Sequence, residues 1–189
     1  MRRLLVVLAL ALPACGPAAP GPLTAAAPRR PTLAAVEAAA DLDGAPVGAL
    51  APGQRATIAV VFASWCEHCR DEMPVLAAVA GRHPEVRVLG INYRAHEEYD
   101  GRGDAAAVRA FVRERAPWLR VVPADEPVWA SLGAPPKVPT VLVFDADGRL
   151  ARAFDRRTDP IPTEADLEAA LTALGAPARG DGGAGRPAP

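Results

Sequence analysis

Cysteine is scarce in this chain: three residues in 189, at Cys15, Cys66 and Cys69. That excludes a disulfide-scaffold protein, which would need more cysteines over a shorter length. A zinc centre is disfavoured as well. It would need two further ligands, and the sequence has no second Cys-x-x-Cys and no clustered His pair. Charge of one sign is also missing, and a formal net charge of -1 argues against a nucleic-acid partner. Aromatic residues make up 5%, and the 50% hydrophobic share is inflated by alanine. Lys137 is the only lysine. The longest apolar run, Leu4 to Leu12, falls far short of the ~20 residues a membrane-crossing helix requires.

What is present centres on Trp65-Cys66-Glu67-His68-Cys69. This stretch follows an apolar run, Thr57 to Ala63, that reads as a buried strand. It opens a helical pattern from Cys66 to Ala80, with Pro74 inside it as an expected kink and Gly81 as the expected stop. A thiol at a helix start faces unpaired N–H groups and the positive end of the helix dipole. Both favour thiolate, the species that reacts in disulfide exchange. A static Cys66–Cys69 staple would close so short a loop that it would add little stability. A working redox pair is therefore the better reading of Cys66 and Cys69, with no cofactor and no metal.

The N-terminus points to export. Met1-Arg2-Arg3 is a basic start, Leu4 to Leu12 an apolar core, and Leu12-Pro13-Ala14-Cys15 a cleavage region, so residues 1–14 read as a signal peptide. The ending resembles a bacterial lipobox, which implies lipidation of Cys15. An ordinary secretory cut near Ala14 is the alternative. Residues 15–32 are rich in Pro and Ala and read as a tether; a Pro-rich stretch of this length could span roughly 50 Å. Residues 33–174 form the expected folded domain, and 175–189 a disordered tail.

Within the domain, Leu33 to Ala40 has helix-forming composition, and Asp43-Gly44 marks a turn, with a hairpin or a bulge expected there. Val86 to Asn92 and Thr140 to Phe144 read as strands, and Leu119 to Val122 as a short extended piece. Leu150 to Phe154 pairs back after the turn Asp145-Ala146-Asp147-Gly148. Asp104 caps a helix to Arg115, Glu126 to Leu132 is a helical turn or two, and Thr163 with Asp166 caps a final helix. Asn92 to Gly103 is long and polar; a solvated connection is the preferred reading, a partner-contact loop the other. Alternation gives parallel pairing first and an antiparallel end: a mixed sheet with helices on both faces.

Two motifs then carry a resemblance. Val61-Phe62-Ala63-Ser64-Trp65-Cys66-Glu67-His68-Cys69-Arg70-Asp71-Glu72-Met73-Pro74, and seventy residues on Lys137-Val138-Pro139-Thr140-Val141-Leu142-Val143-Phe144, resemble the TlpA/ResA group of membrane-tethered thiol–disulfide oxidoreductases. Leu42 to Val47 is similar to the hairpin that precedes the core in that group. The resemblance implies a thioredoxin-like three-layer α/β/α fold with a central mixed sheet and a cis-Pro loop. It implies Cys66 as nucleophile, Cys69 as resolving thiol, and Val138 and Pro139 as a substrate-facing wall with a cis bond; the base-rate alternative is an ordinary trans proline at a strand start. Trp65 is either an aromatic wall over the pair or plain packing. Glu72 either moves protons or serves the helix dipole. Glu67 and His68 sit between the cysteines as tuning residues, with an untuned exposed helix position as the alternative for His68. If His68 stabilises the thiolate, His68→Pro should lower the reduction potential; titration against glutathione measures it.

The implied partners are thiols and disulfides of exported proteins, a membrane electron donor or acceptor, and the membrane itself through a lipid anchor. Apocytochrome c maturation is among the group's tasks. Two alternatives stand beside the enzyme: a Cu(I) carrier on a thioredoxin fold, and a non-catalytic redox sensor. The two-residue spacing of the cysteines departs from copper carriers, and a peroxidase would need a Thr-x-x-Cys that is absent.

Overall fold

The run after Arg55 becomes β1 (Ala56–Val61), and every residue of it is buried. A strand covered on both faces reads as a continuous apolar run. Its side chains alternate between two cores. Ile58, Val60 and Phe62 just beyond it belong to one, Ala59 and Val61 to the other. This is the computed structural model of the chain, and it describes residues 30–175. The expected signal peptide at 1–14, Cys15 with most of the tether, and the tail beyond Gly175 lie outside the described residues.

β1 is followed by α2 (Glu67–Arg82), the short α1 (Ala34–Ala38) having come before it. Then come β2 (Val86–Tyr93), α3 (Arg94–Glu97), a 3-10 turn (Tyr99–Gly101), α4 (Ala105–Arg115), β3 (Arg120–Ala124) and α5 (Glu126–Ser131). A hairpin of β4 (Thr140–Phe144) and β5 (Leu150–Phe154) leads to α6 (Glu164–Gly175). The sheet order is β3-β2-β1-β4-β5. β1, β2 and β3 pair in parallel, whereas β4 runs antiparallel to β1 and β5. α2, α4 and α6 cover one face of the sheet and α1 and α5 the other. The architecture is thioredoxin-like, with a mixed five-stranded sheet between two helical layers. β3 lies at the sheet edge, which is where a strand proline such as Pro123 is tolerated.

Several local expectations are corrected. Gly81 does not stop α2, which continues to Arg82. The last turn is held by α6 instead: Arg82 pairs with Glu164 and Glu168 at 2.8 and 2.9 Å, and His83 reaches Glu168 at 2.8 Å. The Asp43-Gly44 hairpin shrinks to a single bridge, Ala40 to Pro46. There Gly44 takes φ +82°, and Asp41 accepts the N–H groups of Asp43 and Ala45. The caps fall as the sequence indicates. Asp104 accepts from the Ala107 N–H, and Thr163 and Asp166 bond reciprocally.

Candidate active site

β1 ends beneath the N-terminus of α2, and the turn between them carries the cysteine pair. Cys66 occupies the N-cap with extended backbone, φ -76° and ψ 114°. Its sulfur accepts the Cys69 N–H at 3.3 Å. A helix N-terminus offers such free N–H groups to an anion. Both thiols are free; Cys69 is fully buried and Cys66 is 6% exposed. The two are therefore unequal. A hydrogen bond from the Cys69 thiol, aided by backbone N–H groups and the Arg156 charge, brings Cys66 down to about 7. Burial, and then donation to Cys66, pushes Cys69 far above the ordinary thiol range. One sulfur is poised to react near neutral pH and the other stays protonated behind it.

Glu72 lies one turn into α2, 1% exposed, and neither of its carboxyl oxygens has a hydrogen-bond partner among the described residues. Burial, reinforced by the Cys66 charge and opposed by Arg156, raises it to about 8. A first-turn acid serving the helix dipole from the surface would not be buried in this way. Glu67 and His68 point to solvent, and His68 contributes to Cys66 through its backbone N–H. Across the site, the Val138–Pro139 bond is cis, and the Thr140 hydroxyl donates to the Lys137 carbonyl at 2.8 Å. Cys66, Trp65 and Val138 face one cleft of about 520 Å³. Among the described residues no three His, Cys, Asp or Glu side chains are grouped closely enough to hold a metal ion.

The segment from Asn92 to Gly103 is mostly exposed, as a solvated connection would be, but it folds as α3 and the 3-10 turn and buries Asn92 and Glu97 beside the site. Glu97 is 2% exposed, and its carboxylate accepts the Ser64 N–H at 2.9 Å, the Ser64 hydroxyl, and the Asn92 side-chain amide at 2.8 Å. The Trp65 indole N–H donates to the backbone carbonyls of His96 and Glu97 at 3.1 and 2.9 Å. Gly103 lies so close that a Cβ there would overlap the Glu97 carboxylate. Sequence reading missed Glu97. The available signal was a carboxylate in a polar stretch beside the end of β2, and Glu98 next to it carries the same signal while forming a surface pair with Arg94.

Arg156 supplies part of the Cys66 shift, and that contribution can be measured. Arg156→Gln should raise the pH midpoint of Cys66 alkylation by a fraction of a unit. The midpoint is read from the rate of iodoacetamide labelling against pH in the reduced protein, with Cys69 too buried to compete.

No family model matches the sequence. The secreted antigen MPT53 of Mycobacterium tuberculosis is 29% identical over 111 residues, 58% of this chain and 59% of that protein. The chain thus spans about 59% of the length of the curated relatives it matches. A secreted M. tuberculosis disulfide oxidoreductase homologous to E. coli DsbE is 27% identical with a TM-score of 0.57, over 72% of this chain and 94% of that one. A DsbF homologue from Corynebacterium diphtheriae is 26% identical with a TM-score of 0.52, over 65% of this chain and 73% of that one. The chain has a thioredoxin-like fold, and the solved structures to which it is similar include thiol–disulfide oxidoreductases with that fold.

Proposed function

We propose that this protein is an exported thiol–disulfide oxidoreductase, with Cys66 as the attacking sulfur and Cys69 as the resolving one. The observation that carries this reading is the inequality of the pair: a near-neutral Cys66 at the cleft and a protonated Cys69 buried behind it. In the reducing direction, the Cys66 thiolate attacks a substrate disulfide and one substrate thiolate leaves. The mixed disulfide is then broken by Cys69, which gives up its proton and forms the Cys66–Cys69 bond while the second substrate thiol departs. The oxidising direction is the same sequence reversed.

Glu72 is the proton acceptor in this scheme. While Cys66 is a thiolate, its charge adds to burial in keeping Glu72 protonated. Once Cys66 is tied up in the mixed disulfide that charge is gone and the Glu72 pKa falls, so the carboxyl releases its own proton to solvent before taking the one Cys69 gives up. Trp65 and Val138 form the walls against which the substrate segment lies, with Pro139 buried next to Val138 and off the cleft lining. The leader sequence and the secreted relatives support an extracytoplasmic location. Lipidation of Cys15, a membrane electron partner and apocytochrome c as a substrate are the finer parts of the proposal and rest on the sequence resemblance.

The test is a trap. Cys69→Ser should accumulate covalent adducts with envelope proteins that dithiothreitol releases, and Cys66→Ser with Cys69→Ser should accumulate none. Absence of adducts from the single variant, with its Cys66 still alkylatable, would overturn the reading.

A further inference from the structure

Most described arginines are neutralised in ion pairs, as Arg55, Arg82, Arg87, Arg120 and Arg152 illustrate. Six described cations form no ion pair among the described residues, and three of them, Arg102, Lys137 and Arg156, line the cleft over Cys66. They come from three separate segments. Arg102 follows the 3-10 turn, Lys137 precedes the cis-proline, and Arg156 follows β5. Their convergence is a property of the fold and not of a local basic run. Glu67 is the one carboxylate on the same lining. A chain with a net charge of -1 thus concentrates unpaired positive charge at its reactive sulfur.

One of them, Arg102, is also held in place. The Arg102 guanidinium stacks 5.0 Å from the Trp65 ring centre and 5.9 Å from that of Tyr99, which is 62% exposed. Trp65 is in turn fixed by its indole hydrogen bonds to the His96 and Glu97 carbonyls. The result is an aromatic wall carrying a positive charge beside Cys66, on the same cleft as Lys137 and Arg156. Cations left unpaired in a cleft with partly apolar walls attract anions and set partner choice more than they add stability.

We infer that the protein selects substrates whose reacting cysteine is flanked by acidic residues, the carboxylates lying against Arg102, Lys137 and Arg156. This rests on the exchange activity proposed above. No chemistry is added: the substrate disulfide is reduced to two thiols as the Cys66–Cys69 disulfide forms.

The experiment uses the reduced full-length protein and three synthetic peptides. They are identical except that the residues flanking one cysteine are Glu, Gln or Lys, and each cysteine is held as a mixed disulfide with mercaptoethanol. Release of peptide thiol is followed chromatographically at low and at high salt. At low salt the Glu peptide should react about tenfold faster than the Gln peptide, and the Lys peptide slower than both. The spread should collapse in high salt. In a variant carrying Arg102→Gln, Lys137→Gln and Arg156→Gln the Glu-to-Gln rate ratio should fall to about one. That ratio cancels any change in Cys66 reactivity, and the salt series on the unaltered protein stands without the variant. Equal rates for the three peptides, or a faster Lys peptide, would overturn the acid preference while leaving exchange intact. No reaction with any peptide would overturn the exchange reading and the preference with it.

Discussion

Replacing Glu72 by glutamine should raise the melting temperature of the reduced protein at pH 9 by on the order of 10 °C and change it little near pH 5. The folded Glu72 carboxyl sits at about 8, against 4.5 for an ordinary glutamate, because burial disfavours its charge. Between those two values the unfolded chain has released the proton and the folded chain still holds it. Stability from this group is therefore complete below pH 4.5 and is lost as pH rises toward 8. The full loss is at most about 5 kcal/mol, at about 1.4 kcal/mol per pH unit. A domain of this size shifts by about 2–4 °C per kcal/mol. Cys66 titrates with the opposite sign: its folded value is lowered to about 7, so it adds stability as pH rises from 7 toward 9. The two titrations are linked through the Cys66 charge, so the comparison reads the Glu72 ionisation together with its coupling to Cys66. Glutamine is close to glutamate in shape and stays neutral, so its melting temperature should lack the alkaline decline that Glu72 imposes. Calorimetry from pH 5 to 9 under a non-thiol reductant measures it. Parallel curves for the two proteins would show that Glu72 ionises freely in the fold, and would remove it as a proton acceptor that responds to Cys66.

The sequence made some of this legible and hid the rest, for physical reasons. β1, β4 and β5 were readable because a buried strand must be apolar along its length and a hairpin needs its turn residues, here Asp145 to Gly148. The cysteine pair and Val138-Pro139 were readable because few residue types can do what those positions do. Glu72 was visible as a carboxyl near the pair. Its burial was not, since burial depends on what α2 packs against. Gly81 misled for the same reason: glycine ends a helix when nothing holds the next turn, and α6 holds it here. The polar stretch after β2 hid one residue, Glu97. Composition distinguishes solvated from buried only on average, and Glu97 is buried among donors supplied by Asn92 and by Ser64, the latter inside the cysteine motif and 33 residues away in sequence.

Glu97→Ala should cost about 3–5 kcal/mol and loosen the wall beside Cys66. The carboxylate is buried with no cationic partner among the described residues, and neutral donors alone satisfy it. Removing it strands the Ser64 N–H and takes from the Asn92 amide one of its two acceptors, the Phe62 carbonyl remaining, and each donor so lost costs about 1–3 kcal/mol. The loss does not stay local. Ser64 immediately precedes Trp65, and the indole of Trp65 hangs on the carbonyls of His96 and Glu97. Once the carboxylate no longer ties α3 to the end of β1, Trp65 loses its fixed acceptors and Arg102 its platform. Glu97→Gln separates the chemistry from the volume. Its amide oxygen can still accept from the Ser64 N–H and from Asn92, and the Ser64 hydroxyl can turn to accept from the new amide N–H, so the cost should fall to about 1 kcal/mol. Urea unfolding of the two variants gives the stabilities, and Trp65 fluorescence anisotropy reports the wall. Equal stability losses for alanine and glutamine would mean that the contact depends on charge and not on acceptors. An alanine variant as stable as the unaltered protein would mean that the segment from Tyr93 to Gly103 is not fastened to the active site at all.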